Sequence, residues 1–117
     1  MEKVRWGEKK SLAKRARFAE RVYSLCKGIP KGKVTTYKEL GRALEIKGYQ
    51  AIGQVLRCSP GLPLVPCHRV VKSDGSLGGF KGKTGGKEVE EKRGLLAKEG
   101  INSIGGKINL NKYLHHF

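Results

Sequence analysis

The chain has 117 residues and carries 25 Lys and Arg side chains against 10 Asp and Glu, which gives a formal net charge of +15. A chain of this length builds one hydrophobic core and excludes two domains of ordinary size. No apolar run approaches the ~20 residues that cross a bilayer, and the N-terminus lacks the apolar core of a signal peptide, so we expect an intracellular protein that is not secreted. The charge favours a polyanionic partner, nucleic acid first and an anionic membrane surface second.

Cysteine usage indicates the compartment. The three cysteines, Cys26, Cys58 and Cys67, cannot all pair within one chain and show no Cys-x-x-Cys spacing. A reducing compartment fits this pattern, which in a prokaryote is the cytoplasm, in association with the nucleoid. The histidines add no spacing that is typical of a structural zinc site.

The first predicted helix follows a charged segment. Residues 1–11 are expected to form a basic flexible arm ahead of a domain that spans residues 12–117. From Leu12 onward apolar residues recur at helical spacing until Gly28 and Pro30 end the pattern. The apolar positions of this helix are Leu12, Ala16, Ala19, Val22, Tyr23 and Cys26.

Two short helices are predicted in the middle of the chain. Thr36 and Glu39 have capping-box spacing, so a helix begins near Tyr37 and is interrupted around residues 47–48. A second helix begins near Tyr49 and is closed by Pro60. This pair predicts a helix-turn-helix, although many helical hairpins bind nothing.

Residues 62–71 place a thiol and an imidazole side by side. Pro66 forces the residue before it towards an extended conformation, and the segment is expected to form a rigid, poorly hydrated wall on which Cys67 and His68 point to opposite faces. His68 can act on the thiol as a base through a bridging water, and Arg69 can stabilise a thiolate. The alternative is an inert buried cysteine beside a packed histidine.

The last third of the chain contains a glycine-punctuated loop, a helix and a C-terminal segment. Phe80 lies within the loop and either packs against a flipped base or makes a plain core contact. A helix is predicted from Lys87 to a C-cap at Gly100. The segment beyond it is expected to fold back through the apolar residues Ile108, Leu110, Tyr113, Leu114 and Phe117.

The string Pro-Cys-His-Arg-Val-Val at residues 66–71 resembles the active-site motif of the O6-alkylguanine-DNA alkyltransferases, also called methylated-DNA–protein-cysteine methyltransferases. The resemblance covers roughly residues 18–100 and corresponds to the C-terminal active-site domain only. It implies an α/β, mostly helical, small single domain with a winged-helix-like helix-turn-helix that enters the DNA minor groove. It also implies DNA repair by base flipping and irreversible transfer of the alkyl group to Cys67, once per molecule, by a monomer that needs no metal or organic cofactor.

The resemblance also assigns roles to individual residues. Its catalytic group corresponds to Cys67, His68, Glu99 and Tyr37, with Tyr37 as the proton donor to guanine N3. Its substrate pocket corresponds to Val70, which lends a carbonyl, and to Phe80 and Lys81. Its positions that face double-stranded DNA correspond to Lys38, Gln50, Arg57 and Ser73. Arg69 is expected to be structural.

The sequence departs from the family pattern at several positions. Gln50 stands where the family has an intercalating arginine, with Tyr49 as an alternative wedge. Phe80, Lys81 and Ser59 stand where tyrosine, serine and asparagine are common. An alternative reading is a non-catalytic alkyltransferase-like lesion sensor, but such proteins carry another residue at the cysteine position. Two further alternatives are a basic helix-turn-helix module with an incidental cysteine and a cysteine hydrolase.

Overall fold

The computed structural model describes residues 6–61, 64–81, 83 and 85–117, with side chains from residue 15 onward. It confirms a small, mostly helical α/β domain with short strands. The helices are α1 (Trp6–Lys27), α2 (Tyr37–Leu44), α3 (Gln50–Arg57), α4 (Lys87–Lys98) and α5 (Leu110–Tyr113), the strands are β1 (Thr35–Thr36) and β2 (Val70–Val71), and Cys67–Arg69 forms a 3₁₀ turn. None of the described helices is long and apolar enough to cross a membrane.

Helix α1 begins at Trp6, six residues before the predicted start at Leu12, so residues 6–11 are helical where a flexible arm was expected. Glu and Lys have good helix propensity, and an existing helix is extended by them at little cost. Residues 1–5 lie outside the described residues, and the division into arm and domain stays a prediction. Among the predicted apolar positions, Val22 and Cys26 are fully buried, Ala16 is exposed, and the side chain of Leu12 is outside the described part.

The helix-turn-helix is formed by α2 and α3. Thr36 caps α2 as predicted, because its hydroxyl accepts a hydrogen bond from the backbone N–H of Glu39 at 3.1 Å. Helix α2 ends at Leu44, and its C-cap residue Glu45 adopts a left-handed conformation with φ of 58°. A Cβ on Gly41 would lie 2.5 Å from Cε1 of Tyr49, so only a glycine allows the Tyr49 ring to pack this closely on α2.

Two groups of buried residues form the core. One lies among α1, α2, α3 and the segment before the 3₁₀ turn, and consists of Val22, Cys26, Ile29, Leu40, Leu44, Ile52, Val65 and Val70. The other lies between the strands, α4 and the C-terminal segment, and consists of Val34, Val71, Leu77, Leu96, Ile101 and Ile108. The pair Val70 and Val71 contributes one side chain to each group, because successive residues of a strand point to opposite faces.

The small sheet connects the helix-turn-helix with the cysteine motif. Strands β1 and β2 are parallel, with Thr35 opposite Val70 and Thr36 opposite Val71. The C-terminal segment folds back as predicted and pairs with the residue before β1: the N–H of Val34 donates to the Tyr113 carbonyl at 2.9 Å, and the N–H of His115 donates to the Val34 carbonyl at 2.7 Å. Phe117, expected as an anchor, is 45% exposed.

Candidate active site and DNA-facing surface

The cysteine motif is a compact turn. Pro66 has φ of −81° and ψ of 62°, and the N–H of Cys67 donates to the Val65 carbonyl at 2.9 Å, which is an inverse γ-turn. The N–H of Arg69 then donates to the Pro66 carbonyl at 3.0 Å and closes the 3₁₀ turn. Cys67 and His68 are therefore not in the extended conformation on which their expected orientation to opposite faces was based. Residues 62 and 63 of the predicted wall lie outside the described residues.

The turn places its three side chains in different surroundings. Cys67 is half-buried and His68 is completely buried. His68 Nε2 lies 2.6 Å from Glu99 Oε2. Arg69 binds the same carboxylate with two nitrogens, Nε to Oε1 at 2.8 Å and Nη2 to Oε2 at 3.0 Å. Glu99 therefore joins the cysteine motif to the C-terminal end of α4.

Arg69 has a structural position, as the resemblance implied. Its Nη1 donates to the carbonyl of Ile29 at 2.9 Å, and the N–H of Gly32 lies 3.5 Å from Glu99 Oε1. Guanidinium–carboxylate pairs with two parallel hydrogen bonds have a fixed geometry. Arg69 and Glu99 therefore hold the turn, α4 and the segment after α1 in one arrangement, and no described contact joins Arg69 to Cys67.

The protonation states follow from burial and from these partners. Burial lowers the pKa of His68 overall, although the hydrogen bond to Glu99 opposes this. Burial alone would raise the pKa of Glu99, but hydrogen bonds from Arg69 and His68 outweigh it and lower that pKa. Glu99 is thus an acceptor and His68 a neutral imidazole at neutral pH. We assign the His68 proton to Nε2, which donates to Glu99, and this leaves Nδ1 with a free lone pair.

His68 Nδ1 has no hydrogen-bond partner and is the only such buried side-chain nitrogen or oxygen in the described part of the chain. Burying an acceptor without a partner costs stability, so native proteins rarely keep one without a function. A neutral imidazole with one nitrogen fixed by a carboxylate and the other unoccupied has the arrangement of a general base.

Cys67 lies in the wall of an open cleft of about 690 Å³, which we call the thiol cleft. This volume is in the range of pockets that hold small molecules. Four elements contribute residues to it: the start of α2, helix α3, the 3₁₀ turn and the glycine loop. The described residues that line it are Tyr37, Gln50, Ala51, Gly53, Gln54, Leu56, Arg57, Cys67, Gly79, Phe80, Lys81 and Lys83.

Tyr37 is the first residue of α2 and lies in this cleft with Cys67. Burial, followed by the nearby thiols of Cys67 and Cys26, raises the pKa of Tyr37 above its ordinary value. Its phenol therefore keeps its proton well into the alkaline range and is available as a donor.

A second cleft of about 530 Å³, which we call the side cleft, continues from the first, and Tyr37 and Gln50 line both. The other described residues that line it are Lys38, Tyr49, Lys72, Ser73 and Asp74. The four predicted DNA-facing residues are therefore distributed along one surface, with Arg57 in the thiol cleft, Lys38 and Ser73 in the side cleft, and Gln50 in both. Ser59, where the family often has a bracing asparagine, instead accepts a local hydrogen bond from Gly61 N–H at 3.2 Å.

Two of the three predicted pocket residues line the thiol cleft. Phe80 is 8% exposed and Lys81 is exposed. Val70 is 1% exposed and lies behind the wall, outside both clefts. Its carbonyl, expected to serve the pocket, accepts a hydrogen bond from Lys92 Nζ at 2.6 Å.

Lys92 is a residue that sequence reasoning missed. It lies in α4, is 1% exposed, and its ammonium also donates to the carbonyls of Leu77 and Gly79. Burial lowers the pKa of Lys92 to about 8. The only signal in the sequence is that Val89, Lys92 and Leu96 share the spacing of one helix face. Lys92 fixes the backbone that forms the glycine loop of the thiol cleft.

Comparisons with known proteins agree with this geometry. Residues 17–101 match the family model described as "6-O-methylguanine DNA methyltransferase, DNA binding domain". The chain is 45% identical over 85 residues to a methylated-DNA–protein-cysteine methyltransferase of Candida glabrata, covering 72% of this chain and 39% of that one. A protein of the same name from Pyrobaculum aerophilum is 49% identical over 73 residues, which cover 62% of this chain and 45% of the relative. This chain therefore spans less than half the length of these two curated relatives.

The fold resembles that of S. pombe Atl1, solved in complex with damaged DNA containing O6-carboxymethylguanine. The TM-score is 0.76 at 26% sequence identity, and the match covers 87% of this chain and 97% of Atl1. Since the family model covers more than two thirds of the sequence, from the middle of α1 to the end of α4, the chain belongs to the 6-O-methylguanine DNA methyltransferase family.

Proposed function

We propose that this chain repairs O6-alkylguanine in double-stranded DNA by transferring the alkyl group irreversibly to Cys67. The observation that carries the proposal is the arrangement around the thiol: Cys67 and Tyr37 share an open cleft, and His68 keeps one nitrogen unoccupied while Glu99 holds the other. The proposal rests on family membership and on this chain's own residues, because the matched region covers less than half of the curated relatives.

The reaction begins with formation of the thiolate. His68 Nδ1 takes the Cys67 proton, directly or through one water molecule, and Glu99 stabilises the imidazolium that forms. The Cys67 sulfur then attacks the alkyl carbon. The new bond joins sulfur and carbon, the bond between carbon and guanine O6 breaks, and its electron pair passes to the base.

The leaving base must not depart as an anion. Tyr37 donates its proton to guanine N3 as charge develops there, in the role that the family resemblance implies, so guanine is released as a neutral species. The product is an uncharged thioether at Cys67. No group in the proposed mechanism removes the alkyl group again, so each molecule acts once. We propose that it acts as a monomer.

DNA binding precedes this chemistry. Helix α3 enters the minor groove, and Lys38, Arg57 and Ser73 contact the backbone while Gln50 fills the space left by the flipped nucleotide. The base enters the thiol cleft, where Phe80 packs against it. The structure of Atl1 in complex with damaged DNA supports the binding of DNA by this fold. We also propose that the chain corresponds to the C-terminal active-site domain of its relatives and that it works inside the cell.

The experiment that tests the proposal weighs the intact protein after incubation with duplex DNA that contains O6-methylguanine. The expected result is a mass gain of one methyl group in place of one proton, located at Cys67 by peptide mapping. Cys67→Ser is the matched control and gains nothing. Binding to the lesion with an unchanged mass would indicate the lesion sensor instead of the transferase.

A further inference from the structure

The edge of the thiol cleft is a tight hairpin with a lysine at its tip. The N–H of Phe80 donates to the Lys83 carbonyl at 2.8 Å, and the N–H of Lys83 donates to the Phe80 carbonyl at 3.0 Å. Lys81 lies between them with φ of 53°, in the left-handed region that side chains other than Asn, Asp and His rarely adopt. Unfavourable backbone conformations of this kind are concentrated at functional sites.

The charged side chains among the described residues that line the thiol cleft are all cations. The described residues that line it include the cations Arg57, Lys81 and Lys83 and no Asp or Glu. A concave surface with cations and no acid raises the local concentration of anionic ligands. An oxyanion is therefore the group that this edge of the cleft is suited to bind.

The ammonium of Lys81 is paired outside the cleft. Lys81 Nζ lies 2.8 Å from Glu91 Oε1 of α4 and 5.5 Å from the centre of the Phe80 ring. The side chains of Lys81 and Glu91 are 57% and 43% exposed. An ion pair with this exposure is weak and exchanges its partner readily.

We propose that Lys81 is an oxyanion-binding residue of the thiol cleft, which Glu91 holds in the DNA-free protein and which exchanges Glu91 for an oxyanion of the bound DNA. The inference rests on the proposed function. Two sources offer the same chemistry: a phosphate of the strand that carries the flipped nucleotide, and a carboxylate on an acidic O6 substituent such as carboxymethyl. The serine that is common at this position in the resembling family carries no charge and cannot make this contact.

The test is a double-mutant cycle in a Cys67→Ser background, so that transfer does not consume the protein. Dissociation constants for an O6-methylguanine duplex are measured with Lys81→Ser, Glu91→Gln and both together. We expect Lys81→Ser to weaken binding about three- to tenfold and to reduce the salt slope by up to about 0.9. Glu91→Gln should strengthen binding about two- to fivefold by releasing the ammonium, and should have no such effect when Lys81 is already replaced.

Two matched controls account for the change in net charge. Glu90→Gln removes the same charge from the same helix, where Glu90 Oε1 pairs with Arg93 Nη2 at 3.2 Å. Lys31→Ser removes a lysine from an exposed turn outside both clefts. The proposal is overturned if Lys81→Ser weakens binding no more than Lys31→Ser, or if Glu91→Gln strengthens binding equally without Lys81.

A second duplex identifies the source of the oxyanion. If Lys81→Ser weakens binding equally for the O6-methylguanine and O6-carboxymethylguanine duplexes, the oxyanion is a phosphate. If it weakens binding of the carboxymethyl duplex more, the oxyanion is the carboxylate of the substituent. Transfer to Cys67 of the otherwise unaltered protein is measured separately, by mass, with the O6-methylguanine duplex. Absence of that transfer refutes the proposed function. Transfer together with unchanged dissociation constants in Lys81→Ser and Glu91→Gln refutes only the role of Lys81.

Discussion

His68 is the residue whose surroundings give the sharpest expectation for pH. Its folded-state pKa lies below the ordinary value of 6.5, and in the proposed mechanism its neutral form accepts the thiol proton. The second-order rate of transfer from O6-benzylguanine should therefore show no fall due to His68 between pH 8 and about 6.5 and should decline only at lower pH. Because Glu99 opposes the lowering of this pKa, Glu99→Gln should move the acidic midpoint further down.

The same group contributes to stability in the same pH window. A folded-state pKa below the unfolded-state value means that the unfolded chain binds the proton first as the pH falls. The contribution of His68 to stability is therefore fully present above about pH 6.5 and is lost progressively below it.

For the rate of transfer, an acidic midpoint above pH 6.5, or one that rises in Glu99→Gln, would contradict the assignment of His68 as the base.

A substitution at Tyr37 tests the proposed proton transfer to the leaving base. Tyr37→Phe removes the proposed donor to the leaving base and keeps the ring that lines both clefts. We expect single-turnover transfer to slow by about 10²- to 10⁴-fold, the usual contribution of a general acid. Binding of the lesion duplex to Tyr37→Phe in a Cys67→Ser background separates a loss of chemistry from a loss of docking. An unchanged transfer rate would remove Tyr37 from the mechanism.

At the scale of elements, Lys92 connects α4 to the backbone that forms the cleft. Lys92→Met keeps most of the side-chain volume and leaves the carbonyls of Val70, Leu77 and Gly79 without this donor. We expect the free energy of unfolding to fall by about 2–4 kcal/mol, because buried polar groups lose their partners. Chemical denaturation at pH 7 measures this change.

The pH dependence of the free energy of unfolding shows how much the charge of Lys92 contributes to stability. Its folded-state pKa of about 8 is below the ordinary value of 10.5, so charging it opposes folding below that range. The unaltered protein should therefore gain stability relative to Lys92→Met as the pH rises from about 8 to 10.5. A constant difference between the two proteins across this range would show that Lys92 is neutral or fully compensated.

Local signals explain which elements could be predicted from the sequence. Thr36, Gly28 and Gly100 act on backbone groups a few residues away, so the start of α2 and the ends of α1 and α4 follow from the sequence. The 3₁₀ turn at Cys67–Arg69 does not follow, because it depends on contacts of Arg69 with Ile29 and Glu99, 40 and 30 residues away. In the parallel register of β1 and β2, residues 67–69 would lie opposite residues 32–34, and the backbone of Val34 is hydrogen-bonded to Tyr113 and His115 instead.

The residues of the candidate site also divide into those that the sequence predicts and those that depend on tertiary contacts. Cys67, His68 and Tyr37 were identified through a motif and its spacing, and the structure brings them together with Glu99. Lys92 was missed because lysine is rarely buried, and only the folded backbone supplies the three carbonyls that compensate it. The carbonyl of Val70, expected to serve the pocket, accepts a hydrogen bond in that same tertiary contact.

At the scale of the whole molecule, positive charge predominates in the two clefts, as it does in the chain as a whole. Five described cations line them, Arg57, Lys81 and Lys83 in the thiol cleft and Lys38 and Lys72 in the side cleft, whereas Asp74 is the only acid among the described lining residues. A formal charge of +15 over 117 residues extends this bias to the rest of the chain. Binding to any polyanion would thus be electrostatic, and the salt dependence reports how many phosphates are neutralised.

Each cation that neutralises a phosphate of duplex DNA contributes about −0.9 to the slope of log affinity against log salt concentration. If all five cleft cations make such contacts, the slope is about −4.5, and removing Lys38 or Arg57 should reduce its magnitude by about 0.9. Fluorescence anisotropy with a lesion duplex between about 50 and 200 mM salt measures it. Vesicles of anionic lipid provide the matched comparison, because a general cationic surface would bind them with a similar dependence. A flat slope on DNA, or an equal loss of vesicle binding in Lys38→Ser and Arg57→Ser, would show that these clefts are not a dedicated DNA surface.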